Sequence, residues 1–268
     1  MITLTPLTPL IGAEVGGVDL AVMDEATWND VQRAFADHLV LFFRDQNLTP
    51  DTFLEFGARF GPAHIRSVAQ RLDGYPELQV VHADEHTNPI GTSWHSDSSC
   101  DERPPLATAL WMRTVPPTGG DTLFASMYAA WDALSPSMQT FLDGKFAVHD
   151  AHAGRADHDR TSDNLRDDEP SWALHPIART HPVTGRKALY VNPVYTMRID
   201  GLEPAQSRAV LAFLFGHLEN PEFQCRFQWE PNSVALWDNR CAQHCAMNDY
   251  HPAVRSGLRR SILGERPA

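Results

Sequence analysis

The stretch SWHSDSSC, residues 93–100, constrains the fold of this chain most, because it places a histidine and an aspartate two residues apart. Side chains at positions i and i+2 of an extended segment point to the same side, so His95 and Asp97 can approach one metal ion together. The spacing alone is weak, since a surface pair or a histidine oriented by a neighbouring acid has the same pattern. A metal site would need a further ligand that the fold brings in from elsewhere.

A second cluster, residues 236–263, supplies that ligand. It contains His244 directly after a predicted strand, followed by Arg255, Arg259 and Arg260. Two histidines and one carboxylate form the ligand set of non-haem iron(II) oxygenases, which leaves coordination positions open. The chain is acidic, with 22 Lys+Arg against 34 Asp+Glu. The arginines therefore predict a local positive patch for an anionic ligand, since a guanidinium can bind a carboxylate through two parallel hydrogen bonds.

The acidic balance disfavours nucleic-acid and membrane partners, because a net charge of −12 repels phosphate backbones and anionic lipids. The N-terminal residues lack a basic start and a continuous apolar core, and no stretch is typical of a membrane span, so we expect a cytoplasmic protein. The four cysteines are too few for a disulfide framework. Cys241 and Cys245 flank His244 and leave zinc as an alternative, although the spacing is unusual for a zinc pair.

Hydrophobic periodicity predicts a β-rich chain with several helices laid on it. Two short N-terminal strands precede a helix capped by Asp24, and a buried strand follows in residues 38–46. A second helix begins at Thr49, and another occupies residues 203–218. The pattern shows neither an internal repeat nor a linker, which indicates a single domain over residues 1–268, and it is not that of a doubly wound sheet. Further strands are predicted at 77–84, 107–115, 121–126, 175–182, 186–192, 225–230, 233–239 and 259–265, and helix caps at Ser126 and Ser135.

One segment departs from this pattern. Residues 150–170 are polar and have no apolar period. A stretch of this length without secondary structure inside a compact chain is typical of a lid, so we expect a mobile lid insert at about 150–172. Its histidines, His152 and His158, are expected to be solvated rather than metal ligands.

Taken together, the motifs resemble the iron(II)- and 2-oxoglutarate-dependent taurine dioxygenase family, which also includes alkylsulfatases and aryloxyalkanoate dioxygenases. The resemblance covers nearly the whole chain in the family's order and spacing. It implies a β-rich α+β fold with a double-stranded β-helix (jelly roll) core and flanking helices. The matching segments are GAEVGGVDL, LVLFFRDQ followed by FGARFGP, WHSD, PPTGGDTLFASMYAAWDALS, HPVTGRKALYVNPVYT, LWDNRCAQH and the closing arginines before SILG.

The resemblance also implies a cofactor set of Fe(II), 2-oxoglutarate as cosubstrate and O2. His95, Asp97 and His244 match the three iron ligands and thus the catalytic centre. Thr122 matches the threonine that hydrogen-bonds the distal carboxylate of 2-oxoglutarate. Arg255, eleven residues after His244, matches the arginine that pairs with the same carboxylate.

The family's substrate side is less uniform, and the corresponding residues carry open questions. Arg259 matches an arginine near both the primary substrate's anionic group and the inner carboxylate of the cosubstrate, so it could serve either one. Trp237 matches a tryptophan of the pocket wall, and Tyr195 an aromatic residue over the substrate. Gly91 stands where the taurine enzyme carries an asparagine that contacts the amine of its substrate. We therefore expect a small anionic substrate other than taurine: a sulfonate, a sulfate ester or a carboxylate.

The implied activity is hydroxylation of that small molecule with release of succinate and CO2. The alternative is a non-catalytic jelly-roll protein that binds a metal or a small molecule. A third hypothesis is a cupin-like metal enzyme, such as an isomerase, that does not use 2-oxoglutarate. The complete set of implied ligands disfavours the second hypothesis, and the paired arginines disfavour the third. The resemblance further implies a homo-oligomer, a dimer or a tetramer.

Overall fold

The computed structural model describes residues 2–66, 69–87, 91–151 and 172–268. Its helices are α1 (Glu25–His38), α2 (Pro50–Ala58), α3 (Met127–Asp132), α4 (Pro136–Leu142) and α5 (Pro204–Leu218). Its strands are β1 (Thr3–Pro6), β2 (Ala13–Gly16), β3 (Val40–Phe43), β4 (Arg71–Leu72), β5 (Tyr75–Ala83), β6 (Pro105–Thr114), β7 (Thr122–Ser126), β8 (Phe146–Asp150), β9 (Trp172–Pro176), β10 (Ala178–Thr180), β11 (Lys187–Leu189), β12 (Thr196–Ile199), β13 (Gln224–Phe227), β14 (Ser233–Asp238), β15 (Ala242–Ala246) and β16 (Arg255–Leu263).

The helices begin where the side-chain caps predict. Asp24 accepts a hydrogen bond from the backbone N–H of Thr27 at the start of α1. Thr49 forms a reciprocal capping box with Thr52 at the start of α2, and Pro50 occupies the first turn. These caps satisfy backbone N–H groups that a helix leaves without an intrahelical partner.

The largest sheet has the strand order β1-β2-β3-β14-β6-β16-β5-β4, and we call it the main sheet. Its central strands are buried on both faces, which explains the unbroken apolar runs of the sequence. In β3, Val40 and Phe42 belong to one hydrophobic core, while Leu41 and Phe43 belong to another. Strand pairing is antiparallel except between β2 and β3.

The first core lies between the main sheet and a three-stranded sheet, β13-β7-β15, which we call the facing sheet. Phe42 of the main sheet stacks on Phe227 of the facing sheet, with ring centroids 4.0 Å apart. The second core lies between the main sheet and the two N-terminal helices. There Phe53 and Phe56 of α2 pack on Trp111 and Phe43 of the main sheet. The expected β-rich α+β class with flanking helices is confirmed.

Several boundaries differ from the predictions. The strand predicted over 175–182 is divided between β9 and β10, because Ile177 interrupts the pairing. Strands β8 and β12 were not predicted, since both depend on pairing between separate segments: β8 pairs with β9 and with β12. The lid predicted at about 150–172, with His152 and His158, lies almost entirely outside the described residues. In the described part of the chain, no helix is both long and apolar enough to cross a membrane.

Candidate metal and cosubstrate site

Two remote histidines meet at a single backbone bridge. The N–H of His95 donates to the carbonyl of His244 at 3.1 Å, and the reciprocal hydrogen bond is 3.0 Å long. His95 forms an isolated β-bridge and residues 97–100 form a turn, so the extended segment assumed for His95 and Asp97 is not a regular strand. The two imidazole ring centroids lie 4.2 Å apart.

Asp97 completes a compact group of possible metal ligands. Its Oδ1 lies 3.7 Å from Nε2 of His95 and 3.6 Å from Nε2 of His244. One ligand atom from each of the three residues lies within 4.8 Å of the others, and all three residues are buried. The structure thus brings together the three residues that the resemblance assigned to iron.

The protonation states of His95, His244 and Asp97 are those that metal binding requires. The ring nitrogen Nδ1 of His95 hydrogen-bonds the carbonyl of Ser93 at 2.7 Å, so Nδ1 carries the proton and Nε2 presents its lone pair. Burial lowers the pKa of both histidines, that of His244 to about 3, which leaves them neutral. Burial alone would raise the pKa of Asp97, but Arg259 and the two histidines outweigh it and hold that pKa well below its usual range. Two neutral imidazoles and a carboxylate form a donor set that iron(II) accepts.

The other carboxylate oxygen of Asp97 is held by a hydrogen-bond network. Thr108 Oγ1 donates to Asp97 Oδ2 at 2.7 Å, and Trp237 Nε1 donates to the same oxygen at 3.2 Å. Asn239 links the two donors, since its Nδ2 donates to Thr108 Oγ1 and its Oδ1 accepts from Trp237 Nε1. Asp97 Oδ1 is thereby left facing the histidines.

Sequence reasoning assigned Trp237 to the pocket wall and missed Thr108 and Asn239. Trp237 does line the cavity described below, and it also contacts Asp97. The signal that could have identified Thr108 was its single hydroxyl side chain within the apolar run ATALWM of β6. Thr108 pairs directly with Trp237 of β14, so the two side chains leave the main sheet on the same face.

Thr122 and Arg255 line the same cavity, and Trp229 contacts both of them. Arg255 is buried, and its Nε donates to the carbonyl of Gly120 at 3.1 Å. Thr122 Oγ1 accepts a hydrogen bond from Trp229 Nε1 at 3.0 Å, which leaves its own hydrogen free to donate into the cavity. Gly120 has a φ of +71°, and a Cβ there would lie 3.3 Å from Cδ of Arg255, so a larger residue would crowd the guanidinium.

Arg259 lies nearest to the possible metal ligands. Its Nη2 is 2.5 Å from Asp97 Oδ1, and its Nε is buried without a hydrogen-bond partner among the described residues. Its guanidinium carbon lies 6.0 Å from the ring centroid of Trp237. A buried N–H that lacks an acceptor is costly, and an oxygen atom of a bound anion would satisfy it.

Arg260 was expected in the same positive patch, and this expectation is wrong. Successive residues of a strand point to opposite faces, so Arg260 faces the N-terminal helices with Leu258 and Ile262 of the second core. Its Nη2 donates to the carbonyl of Gly61 at 3.2 Å. Only Arg255 and Arg259 of the three closing arginines therefore face the cavity.

These residues line one cavity of about 350 Å³ between the main sheet and the facing sheet. The Tyr195 ring centroid lies 6.5 Å from that of His95, and Tyr195 lines the cavity as expected for a residue over the substrate. Gly91 also lines the cavity, with a φ of +77°. A Cβ on Gly91 would lie 3.2 Å from Cε1 of His95. The rest of the wall is largely apolar and includes Val81, Leu110, Val194 and Ala246.

The zinc alternative at Cys241, His244 and Cys245 is not supported. His244 and the two cysteines have opposite parity along the extended chain, so their side chains point to opposite sides. A second group of possible ligands does include Cys241, together with His181 and Asp238. There His181 Nδ1 accepts two backbone N–H groups, so its Nε2 carries the proton and donates to Asp238. Arg240 also binds Asp238 through two nitrogens, so this group is a buried ion-pair network and not a metal site.

A buried group of two histidines and one carboxylate, with an arginine and a threonine across the same cavity, is the arrangement expected of a 2-oxoglutarate-dependent dioxygenase. Comparison with known proteins identifies the family. The chain belongs to the family described as "Taurine catabolism dioxygenase TauD, TfdA family", whose model matches residues 3–262. The protein is a 2-oxoglutarate-dependent dioxygenase with a small-molecule substrate.

Individual relatives and solved structures support the assignment of the chain to this family. The chain is 33% identical over 275 residues to the alpha-ketoglutarate-dependent sulfonate dioxygenase of Saccharomyces cerevisiae, covering 97% of this chain and 66% of that protein; alpha-ketoglutarate is 2-oxoglutarate. A taurine dioxygenase from Burkholderia xenovorans has a similar structure, with a TM-score of 0.87, 34% identity and coverage of 100% and 91% of the two chains. The protein AAD-2, solved with Mn(II) and N-oxalylglycine, matches with a TM-score of 0.85, 28% identity and coverage of 100% and 99%.

Proposed function

We propose that the chain uses Fe(II) and O2 with 2-oxoglutarate to hydroxylate a small anionic organic substrate. In this proposal Nε2 of His95, Nε2 of His244 and Oδ1 of Asp97 hold the iron. Their mutual distances support this assignment, because the three ligand atoms lie within 4.8 Å of one another, and both imidazoles are neutral. The two imidazoles and one carboxylate would leave the remaining positions open for the cosubstrate and O2.

Arg255 and Thr122 are proposed to hold the far carboxylate of 2-oxoglutarate. Burial of Arg255 lowers its pKa, and no described carboxylate forms an ion pair with its guanidinium; the nearby Asp121 is bound by Arg226 instead. A buried guanidinium with N–H donors to spare favours a bidentate anion. The free hydroxyl hydrogen of Thr122 supplies a further donor to the same carboxylate.

With iron and 2-oxoglutarate bound, O2 would be the oxidant: one of its oxygen atoms would convert a C–H bond of the substrate to C–OH, and the other would enter succinate as 2-oxoglutarate loses CO2. The residues of the chain orient the reactants. Arg259 would bind an anionic group near the metal, and its unpartnered Nε supports a ligand oxygen there. Tyr195 and the apolar wall would position the carbon to be hydroxylated and exclude water.

The substrate is proposed to be a sulfonate, a sulfate ester or a carboxylate. An acidic chain with a charge of −12 disfavours anions everywhere except at such a local cluster of arginines. The Saccharomyces cerevisiae relative is a sulfonate dioxygenase, which supports the same substrate class.

The observation that carries this proposal is the convergence of His95, Asp97 and His244 in a cavity that also contains Arg255. The test begins with the purified chain, Fe(II) and 2-oxoglutarate without oxygen. We expect a visible charge-transfer band from chelation of the iron by the keto acid. Admission of O2 together with sulfonates, sulfate esters and aryloxy acids should then give succinate, and one substrate class should accelerate its formation.

Variants separate the proposal from its alternatives. His95→Ala should abolish both the band and succinate formation, while Arg33→Gln, a change on the exposed surface of α1, should leave both intact. A band without any succinate would indicate a non-catalytic binding protein, and metal binding without a band would indicate an enzyme that does not use 2-oxoglutarate. Full succinate formation by His95→Ala would contradict the ligand assignment.

We further propose that the core is a double-stranded β-helix. The main and facing sheets, which are antiparallel except for the β2–β3 pair and pack face to face around the cavity, support this description. The single-domain organisation, the lid, the homo-oligomer, the cytoplasmic location and the lack of nucleic-acid or membrane partners stay predictions.

A further inference from the structure

A row of four side chains crosses the main sheet at the cavity. Arg71 of β4 pairs with Gln79 of β5, which pairs with Arg259 of β16, which pairs with Leu110 of β6. Directly paired residues project to the same face of a sheet. Arg259 and Leu110 line the cavity, so Gln79 and Arg71 continue the same face outward to the edge strand β4.

The row brings two guanidinium groups within reach of one ligand. Neighbouring strands lie about 4.8 Å apart, so the Cα atoms of Arg71 and Arg259 are separated by about 10 Å. A group held between them can be reached by both side chains, since an extended arginine spans more than half of that distance. Gln79, which lies between them, adds an uncharged amide donor to the same stretch of surface.

Arg71 lacks a counterion within the described residues, whereas Arg259 pairs with Asp97. Arg71 donates from Nη2 to the carbonyl of Arg66 at 2.8 Å and forms no ion pair with a described carboxylate. Arg66, in contrast, lies 3.8 Å from the carboxylate of Asp101. Burial and the charge of Arg259 both lower the pKa of Arg71, which means that the two cations repel each other across the row. An anion bound between them would relieve this repulsion.

We propose that Arg71 is a specificity-determining residue that, together with Arg259, binds the tetrahedral –SO3⁻ terminus of the primary substrate at the mouth of the cavity. This inference rests on the proposed function. Three oxygens in a tetrahedral arrangement can accept hydrogen bonds from two guanidinium groups on different sides at once. A planar carboxylate, with two oxygens, is matched by the fork of a single arginine.

The rest of the cavity favours an apolar body for this substrate. Its wall offers Val81, Leu110 and Val194 beyond the arginine. Among the described residues that line it, Asp97 is the sole carboxylate, and the proposed metal would use it. A positively charged amine on the substrate would therefore have no carboxylate to pair with among these residues, so the structure favours a simple alkyl or aryl anion over a zwitterion.

The test measures succinate formation with a matched set of substrates: 1-hexanesulfonate, hexyl sulfate, heptanoate and 6-aminohexanesulfonate. The wild-type chain should prefer the first two over heptanoate and over the amine. In Arg71→Gln the KM for the preferred substrate should rise about 10-fold, the size of one charge-assisted hydrogen bond at a partly exposed site, with kcat little changed. Arg71→Lys should recover part of this loss.

Arg33→Gln is the matched control, because it removes the same charge from an exposed position on α1. A structural role for Arg71 would also raise the KM for 2-oxoglutarate and weaken the anaerobic charge-transfer band, so both must stay unchanged in Arg71→Gln. An unchanged KM for the sulfonate in that variant would overturn the inference, as would equal preference for heptanoate or the aminosulfonate. Absence of the band in the wild-type chain would instead refute the proposed function itself.

Discussion

Replacement of Thr108 by valine tests how the fold prepares Asp97 for a metal. The two side chains have nearly the same shape, so the change removes a hydroxyl and little else. Thr108→Val deletes the 2.7 Å hydrogen bond to Asp97 Oδ2, while the 3.2 Å hydrogen bond from Trp237 remains. Oδ2 then has one donor where it had two, and rotation of the carboxylate about its Cβ–Cγ bond is less restricted.

The magnitude follows from the charge of the acceptor. A hydrogen bond to a buried ionised group contributes about 1.5–3 kcal/mol. Because Trp237 still donates to Oδ2 in the variant, we expect a loss of about 2 kcal/mol from the Thr108 hydrogen bond. If that contribution is lost from metal binding, the Kd rises about 30-fold. The Nδ2 of Asn239 also loses its 3.0 Å acceptor, so the free energy of unfolding should fall by about 1 kcal/mol.

Metal affinity is measured without oxygen, by titration with Mn(II) followed by electron paramagnetic resonance and by competition with a coloured chelator for Fe(II). Thr108→Ser is the control, because it retains the hydroxyl and removes only a methyl group. We expect near wild-type metal affinity in the serine variant and a loss in the valine variant. Equal affinity in the wild type and Thr108→Val, or an equal loss in both variants, would refute the reasoning.

Three further predictions concern the cosubstrate, the close approach at the metal and the response to acid. Arg255→Gln should raise the KM for 2-oxoglutarate about 100-fold in the succinate assay, because it removes a buried charge from the proposed carboxylate site; an unchanged KM would remove Arg255 from that site. Gly91→Ala should weaken Mn(II) binding, because its Cβ would lie 3.2 Å from Cε1 of His95 and the φ of +77° disfavours alanine; equal affinity would show that the loop adjusts. Burial lowers the pKa of His149 to about 3, so the unfolded chain binds a proton below about pH 6.5 that the folded chain excludes. The free energy of unfolding should therefore decrease as the pH is lowered below about 6.5. Urea unfolding at pH 7 and pH 5 should therefore show a loss that is about 2 kcal/mol smaller in His149→Gln than in the wild type, and equal losses would contradict the assignment.

Local patterns in the sequence were sufficient for much of the fold. The caps at Asp24 and Thr49 lie where the helices begin, because a cap depends on a few neighbouring residues. The apolar run of β3 predicted a strand buried on both faces, and the two cores confirm it. Strands β8 and β12 escaped prediction because their identity depends on a partner distant in the chain.

The candidate site, like the fold, could be predicted from the sequence only in part. The two-residue spacing of His95 and Asp97, with His244 in a distant motif, was recognisable in the sequence as the pattern of the family, although the two side chains converge at a β-bridge and a turn and not on one face of a strand. Sequence alone could not separate Arg259 from Arg260, since the face that each strand residue occupies depends on what packs there.

Only the tertiary structure placed Thr108 and Asn239 behind Asp97 and aligned Arg71 with Arg259. The physical reason is register. Local geometry determines which side chains share a face within one strand, whereas packing of the two cores determines which residues of different strands lie opposite each other.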